Sequence, residues 1–461
     1  MKALIDPTNA LAIGLAAIRK QYQVPDDFPP EVLAAAEAAA KRVPSAHVDR
    51  TAMPFVTLDP APSTDLDQAF TIERAGSDLL LHYAIADVAW FVDDGGVIDV
   101  EAWKRGATQY LPDGKAPLYP AILSDGGASL LPTGPRPAVV FTVRVAPDGA
   151  VKLDGAERAI VRSRAKLAYD SVRDSDLPPD FADLAKRIQG AEDRRGAARV
   201  DPPEQEVDAL GDGGYALTFR PLLQSEISNA AMSLATNLAI ADALQAHHTG
   251  LFRVMAPPNQ GAVERLRHTA RAYGLKWPGN ETLDQFTRGL DGADPKQAAF
   301  MLAIRRAGQG ASYVPYQDGV VPWHAAMAAT YCHATAPLRR LADRYVVRAT
   351  LAIANGEAVP DGVSEAFTRL PQVMAHADQL DGQIGRAVID LAEAVMLKDA
   401  VGQIFQAVVT DVDDRGARIQ LRDQPVVARV AAQAVGPGDA IGVRLTAADP
   451  ANRAISFERV S

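Results

Sequence analysis

One cysteine, Cys332, is all that the 461 residues contain, so the chain forms no internal disulfide and offers no thiolate cluster for zinc, which fits a reducing cytoplasm. Although 48% of the residues are hydrophobic, no apolar run reaches the roughly 18 residues of a membrane span. No membrane partner is expected. The first residues, MKALIDPTNALAIGLAAIRKQYQ, put Asp6 ahead of the apolar stretch and lack a small-residue cleavage pattern, so a cytoplasmic location is expected. Low-complexity tracts and internal repeats are absent too. Positive charge is short: 47 Lys and Arg stand against 57 Asp and Glu, a net −10. That balance weighs against a uniformly basic nucleic-acid surface and leaves only local positive charge for such a partner. Carboxylates that hold metal ions add negative charge without repelling a substrate once the metals are bound.

The length exceeds what one core usually supports, so two or three domains are expected. Residues 1–45 read as two helices, about Asn9–Gln21 and Glu31–Arg42, divided by Asp26, Asp27, Pro29 and Pro30. This module is either a clasp packed on the next domain or a helix-turn-helix. From about Ala52 the pattern turns to strands, MPFVTLDP, QAFTIER, DLLLHYAIADVAWFV, AVVFTVRVAPDG and AVKLDGAERAIV. From about Leu184 to Ala400 helical periodicity dominates, interrupted at Asp201-Pro202, Pro257-Pro258 and Pro360-Asp361. The expected fold class is α+β and multidomain, with a large central domain over 46–400. Residues 401–461 hold five short strands parted by DDRG, RDQP, GPGD and DPAN, the pattern of an OB barrel. With only Phe405 and Phe457 as aromatics, this barrel either binds single strands or is purely structural.

Three aspartates, Asp59, Asp65 and Asp67, fall within nine residues. Asp59 closes the run FVTLD, and Pro60 and Pro62 stop its continuation. In an extended segment Asp65 and Asp67 share one side, with Leu66 on the other. Gathered carboxylates repel unless protonated or bridged by a cation, and hard oxygen ligands select Mg²⁺ or Mn²⁺. Two such ions stabilise the attacking and leaving oxygens of a phosphodiester displacement. Acidic residues beside a Pro-rich turn are equally ordinary as solvated loop residues or caps.

The spacing Asp59-x₅-Asp65-x-Asp67, followed by Ala69, resembles the active-site signature of the RNB catalytic domain of ribonucleases II and R. Three further blocks resemble that family in the same order: His82–Asp87, Gln109–Pro112, and Tyr331-x-His333-x-Thr335 through Asp343 with Arg339 and Arg340. The resemblance implies processive 3′→5′ hydrolysis of single-stranded RNA to nucleoside 5′-monophosphates, with Mg²⁺ (or Mn²⁺) as cofactor. It assigns Asp59, Asp65 and Asp67 as metal ligands, Asp67 and Arg339 as catalytic, Arg340 as a second RNA-binding arginine, and Tyr110 as a base-stacking residue. Members usually carry two cold-shock OB domains ahead of the catalytic domain, and about 45 residues hold neither, so a more open RNA entrance is expected. One departure stands at Gln68, where the family pattern has a fourth aspartate. Its uncharged amide oxygen either ligates a metal or orients water from behind the ligands, and a weaker second metal site is expected.

Several readings stay open. Pro337 places a helix start near Thr335 or Ala336, whose backbone N–H groups would attract phosphate, with Arg344 and Arg348 continuing at i+4 spacing from Arg340. Asp343 is four residues from Arg339 and suits it as a local partner. Asp87 suits a cap, His333 a buried partner, and Tyr110 either core or stacking. The stripe Glu226, Asn229, Ser233 and Asn237 either lines an RNA channel, with Glu226 and Asn229 on the 2′-OH, or faces solvent. A non-catalytic RNA-binding protein, or a regulator using the N-terminal helices, are the functional alternatives.

Overall fold

A computed structural model describes residues 2–460 except 5, 7–8, 198–203, 211–213, 221, 293, 309, 414 and 432–433. The interruption at Asp201-Pro202 lies outside the described residues. The centre is a five-stranded sheet in the order Val48–Asp49, Val151–Val161, Arg136–Val145, Asp78–Ala86, Gln68–Ala75. Its four long strands pair antiparallel, with Gln68 opposite Ile85 and Ala86 opposite Ala138. Phe70, Leu81, Tyr83, Phe141 and Val143 are fully buried or nearly so, and the helices Gln224–Ala246 and Leu341–Ala354 close the core against them. The run expected to continue as strand through AWFV instead bends at Asp87 into the short helix Val88–Phe91.

The helical half is less uniform than its periodicity suggests. It contains the hairpin Glu204–Ala209/Tyr215–Arg220 and the paired strands Leu251–Met255 and Ala311–Pro315. Pro257-Pro258 separates the strand ending at Met255 from a helix beginning at Gln260, and Pro360 is the N-cap of a 37-residue helix, Asp361–Leu397. Helices Gln260–Ala272 and Pro295–Ala307 share a small core of their own around Phe300 and Tyr273. Among the described residues no helix is long and apolar enough to cross a membrane.

The two N-terminal helices, Ala10–Gln21 and Pro30–Ala40, bury themselves in different cores. Leu11, Leu15 and Ile18, spaced to form one face, pack with Ile384, Val388 and Leu391 of the long helix. Gly14 permits that approach, since a Cβ there would lie 2.5 Å from Leu391 Cδ2. Val32, Ala36 and Ala39 join the main core. Arg19 donates to both Asp113 carboxylate oxygens at 3.0 and 2.8 Å. Both helices thus pack on elements outside residues 1–45, as the clasp reading expects.

The last strands, Ile404–Asp413, Gly416–Leu421, Val427–Ala431, Ala440–Asp449 and Ala454–Arg459, form a closed barrel. Glu393 of the long helix ties it down: one carboxylate oxygen accepts from Val427 N–H at 2.8 Å and from Gln205 Nε2 at 2.6 Å.

Candidate active site

Strand Thr57–Asp59 stops at Asp59, as Pro60 requires, and runs parallel to Lys166–Ala168. Asp59 is largely buried, its Oδ2 has no hydrogen-bond donor, and burial together with the nearby Asp65 charge pushes its carboxyl up to about 6. Leu66 is fully buried, so its neighbours Asp65 and Asp67 are held on the site side. Asp67 is 4% exposed and its Oδ1 accepts from the Leu338 backbone N–H at 2.6 Å. Its Oδ2 lies 3.7 Å from Arg339 Nε. Burial raises the Asp67 pKa, and the Arg339 charge opposes that rise.

The arginine block is a turn rather than the start of a helix. Arg339 and Arg340 both donate their N–H to Ala336 O, and the helix begins only at Leu341. Asp343, fully buried, explains the delay: its carboxylate accepts from Ala336 N–H at 2.8 Å and from Arg340 Nε and Nη2 at 3.0 and 2.8 Å. Asp343 thus pairs with Arg340, three residues before it, and Arg339 is left to face Asp67. Arg344 is buried against Asp99, and Arg348 grips Asp94 at 2.6 and 2.8 Å. Neither continues a basic stripe into the site.

The turn is pinned to the Tyr110 hairpin, because Thr108 N–H donates to Arg339 O and Leu341 N–H to Gly106 O. In the hairpin Gln109–Leu111/Gly114–Ala116, Tyr110 stands directly opposite Lys115. Cross-strand partners share a face. Both reach Asp65: Tyr110 Oη donates to Oδ2 at 2.7 Å, and Lys115 Nζ is 2.9 Å from Oδ1. Tyr110 is 49% exposed, so it is not core.

The expected metal ligands are engaged with groups of the protein itself. Among the described residues, no three His, Cys, Asp or Glu side chains converge on a point that could hold a metal ion. Asp59, Asp65 and Asp67 act electrostatically on a common region, but Asp65 is turned to Lys115 and Tyr110, and Asp67 to Leu338 N–H. The Gln68 Oε1 accepts from the hydroxyl of Tyr83, which is fully buried.

The stripe on helix Gln224–Ala246 makes contacts within the protein along its length, with Glu226 and Ser233 partly exposed. Glu226 accepts from Leu223 N–H at 2.7 Å in a capping arrangement and pairs with Arg220 at 2.9 Å. Asn229, 6% exposed, donates to Leu58 O at 3.2 Å and to Tyr169 Oη at 2.9 Å, bracing the Asp59 strand. Ser233 bonds Thr335 at 2.8 Å, and Asn237 Oδ1 accepts from Ala334 N–H at 3.0 Å. His333 is a neutral buried partner of Tyr313, its pKa lowered by burial and the neighbouring arginines. Asp87 is paired with His47 at 3.0 Å and Arg158 at 3.3 Å.

Lys115, Tyr83 and Tyr169 also belong to the site, through Asp65, Gln68 and Asp59. Pro112-Asp113-Gly114 is a turn signal that sets Lys115 across from Tyr110, so that contact was readable. Tyr169 is half-buried, with its backbone N–H on Asp59 O, and burial and the Asp59 charge raise its pKa. Only the parallel strand pairing brings it there.

A family model described as RNB domain matches residues 47–356, more than half of the chain. The chain belongs to the RNB family. A second model, the RNase II-type exonuclease C-terminal S1 domain, matches residues 403–460. Among RNB relatives, Ribonuclease R of Aquifex aeolicus is 27% identical over 90% of this chain and 62% of its own length. Exoribonuclease 2 of Cronobacter sakazakii is 30% identical over 83% of this chain and 62% of its own. Ribonuclease R 1 of Lactococcus lactis is 24% identical over 91% and 55%. The chain thus spans between 55% and 62% of the length of these relatives. Mycoplasma genitalium RNase R, solved with ribose-methylated single-stranded RNA, has the same fold: TM-score 0.87 at 19% identity, over 98% of this chain and 78% of that one. Yeast Ssd1, described as a pseudonuclease, shares it at TM-score 0.68 and 16% identity, over 91% and 55%.

Proposed function

We propose that this chain is a metal-dependent exoribonuclease that removes nucleoside 5′-monophosphates processively from the 3′ end of single-stranded RNA. Family membership supports an RNA exonuclease, and nucleases of this family are generally metal-dependent. The observation that carries the reading to this chain is the Asp67–Arg339 pair. A buried carboxylate fixed by a backbone N–H faces an arginine whose neighbour, not itself, takes the local acid. A guanidinium so left offers bidentate donors to a phosphate or to charge developing in the transition state.

The donor set fits a hard divalent cation, because Asp59 Oδ2 is a buried oxygen without a donor beside two further carboxylates. Asp59 would supply the open ligand atom, with Asp65 and Asp67 beside it. Such an ion, when bound, supplies stabilisation of the attacking water and the phosphoryl oxygens. Asp67 is held at its place by Leu338 N–H, and Arg339 binds the scissile phosphate. The exposed Tyr110 ring stacks on the terminal base, tolerating any sequence because every base has a π-face.

RNA reaches the site along residues 401–461 and the catalytic domain 46–400, with 1–45 as the clasp. A cavity of about 530 Å³ between the barrel and helices Gln260–Ala272 and Pro295–Ala307 is lined by Arg265, His268 and Arg306 as well as Asp411. Arg418 lies close by, its Nε buried without a partner and its pKa lowered by burial and by Arg306 and Arg429. Arg418 pairs with Arg429 across adjacent barrel strands, the second and third, the face that OB folds present to oligonucleotides. Arg306 and Arg429 are paired with Asp411 at 3.6 Å and Asp413 at 2.6 Å, so the charge beside Arg418 is mixed rather than uniformly basic.

One observation favours a second reading, RNA binding without hydrolysis: Asp65 is already neutralised by Lys115. End-labelled single-stranded RNA incubated with and without Mg²⁺ separates the two. Mg²⁺-dependent mononucleotide release from the 3′ end supports the nuclease; retention of full-length RNA with tight binding supports the alternative.

A further inference from the structure

The ammonium of Lys115 is fully committed. Nζ stands 2.9 Å from Asp65 Oδ1, 2.7 Å from Asp125 Oδ1 and 3.3 Å from Thr64 Oγ1, which uses its three donors. The hairpin register sets Lys115 opposite Tyr110, on the face from which both side chains reach Asp65. On the other side of the aspartates, where a fourth carboxylate would add charge, Gln68 carries none. Its amide oxygen is occupied by the Tyr83 hydroxyl, and Tyr83 is buried in the central sheet.

The charges can be counted. With every carboxylate ionised, as ligation of a cation requires, Asp59, Asp65, Asp67 and Asp125 give −4; Lys115, Arg339 and Lys166, whose charge acts on Asp59, give +3. The cluster is left at −1. One divalent cation brings it to +1, which suits a phosphodiester of charge −1. A second brings it to +3, against the repulsion of Lys115 at close range. Compared with a four-carboxylate centre lacking a lysine, Gln68 and Lys115 make the cluster two units more positive, the charge of one divalent ion.

We propose that Lys115 stands in for a second divalent cation, so that the aspartates of this chain hold one metal ion and not two. The inference rests on the metal-dependent reading above. Lys115 is a positioning residue in this account: it holds Asp65 and Asp125 together as a bridging ion would. Gln68, whose amide oxygen accepts from Tyr83, adds no charge to the cluster.

The test counts bound ions without reference to hydrolysis. Mn²⁺ is titrated into the full chain without RNA, and free Mn²⁺ is read by electron paramagnetic resonance. The native chain should bind one equivalent. Combining Lys115→Met with Gln68→Asp should add a second, and Lys115→Met alone should tighten Mn²⁺ binding at least tenfold. Lys115→Gln, which keeps a polar group, guards against misfolding and should tighten it in the same direction, with circular dichroism confirming the fold. Two equivalents in the native chain would overturn the inference, as would an unchanged count and affinity in the folded variants. A chain that hydrolyses RNA and binds two ions would leave the proposed function standing, whereas one that binds a single ion and releases no mononucleotides would do the reverse.

Discussion

Arg340 grips Asp343 at 3.0 and 2.8 Å, and that pairing frees its neighbour Arg339 to stand 3.7 Å from Asp67. Adjacent arginines thereby have separate tasks. Arg339→Ala should lower the single-turnover cleavage rate by about 10²–10³-fold, the usual loss for a transition-state donor, with the melting temperature near native. Arg340→Ala should instead destabilise the fold by about 3–5 kcal/mol, because it strands a buried carboxylate. Thermal melts beside rapid-quench kinetics check both.

Tyr110 has two contributions that substitution separates. Tyr110→Phe keeps the ring and loses the 2.7 Å bond to Asp65, so RNA affinity should be near native. Tyr110→Ala should weaken binding by about 1–3 kcal/mol, the range for one base–aromatic stack. Fluorescence anisotropy in EDTA reads binding without cleavage; equal affinity of the two variants would remove the stacking role.

Glu393 makes barrel docking pH-dependent. Burial pushes its carboxyl from an ordinary 4.5 up to about 7, against the pull of Val427 N–H and Gln205. The fold therefore favours the neutral acid. Its contribution is complete below about pH 4.5 and is lost as the pH rises through about 7. Glu393→Gln keeps the acceptor oxygen and cannot ionise. It should match the native melting temperature near pH 4.5 and exceed it at pH 8, by on the order of 2 kcal/mol. A native advantage at pH 8 would contradict this.

Asn237 holds the turn that presents Arg339. Asn237→Ala leaves the Ala334 N–H without its 3.0 Å acceptor in a buried setting, at a cost of about 1–3 kcal/mol. Chemical denaturation should show that loss, and cleavage should fall with it because the arginine turn loosens.

The barrel was legible because five strands with Asp, Gly and Pro turns leave little choice. The aspartate turn was too, since Pro60 and Pro62 end any strand at Asp59. The arginine block misled: Pro337 signals a helix start, yet the Asp343 carboxylate binds Ala336 N–H and delays the helix to Leu341. Glu226 and Asn229 have partners that the sequence does not name. A polar stripe looks alike whether it meets water or buried carbonyls, and only tertiary packing supplied Leu58 O and Tyr169 as partners. Lys115 could be paired with Tyr110 from the turn, but Asp65, fifty residues earlier, could not be placed beside it without the fold.

Asp67→Asn is the most direct measurement. It keeps the shape and the acceptor for Leu338 N–H while removing the charge facing Arg339. With 3′-end-defined single-stranded RNA and saturating Mg²⁺, the native chain should release 5′-mononucleotides, and the variant should bind the same RNA with cleavage reduced at least 10³-fold. Native-rate cleavage by Asp67→Asn would contradict the account.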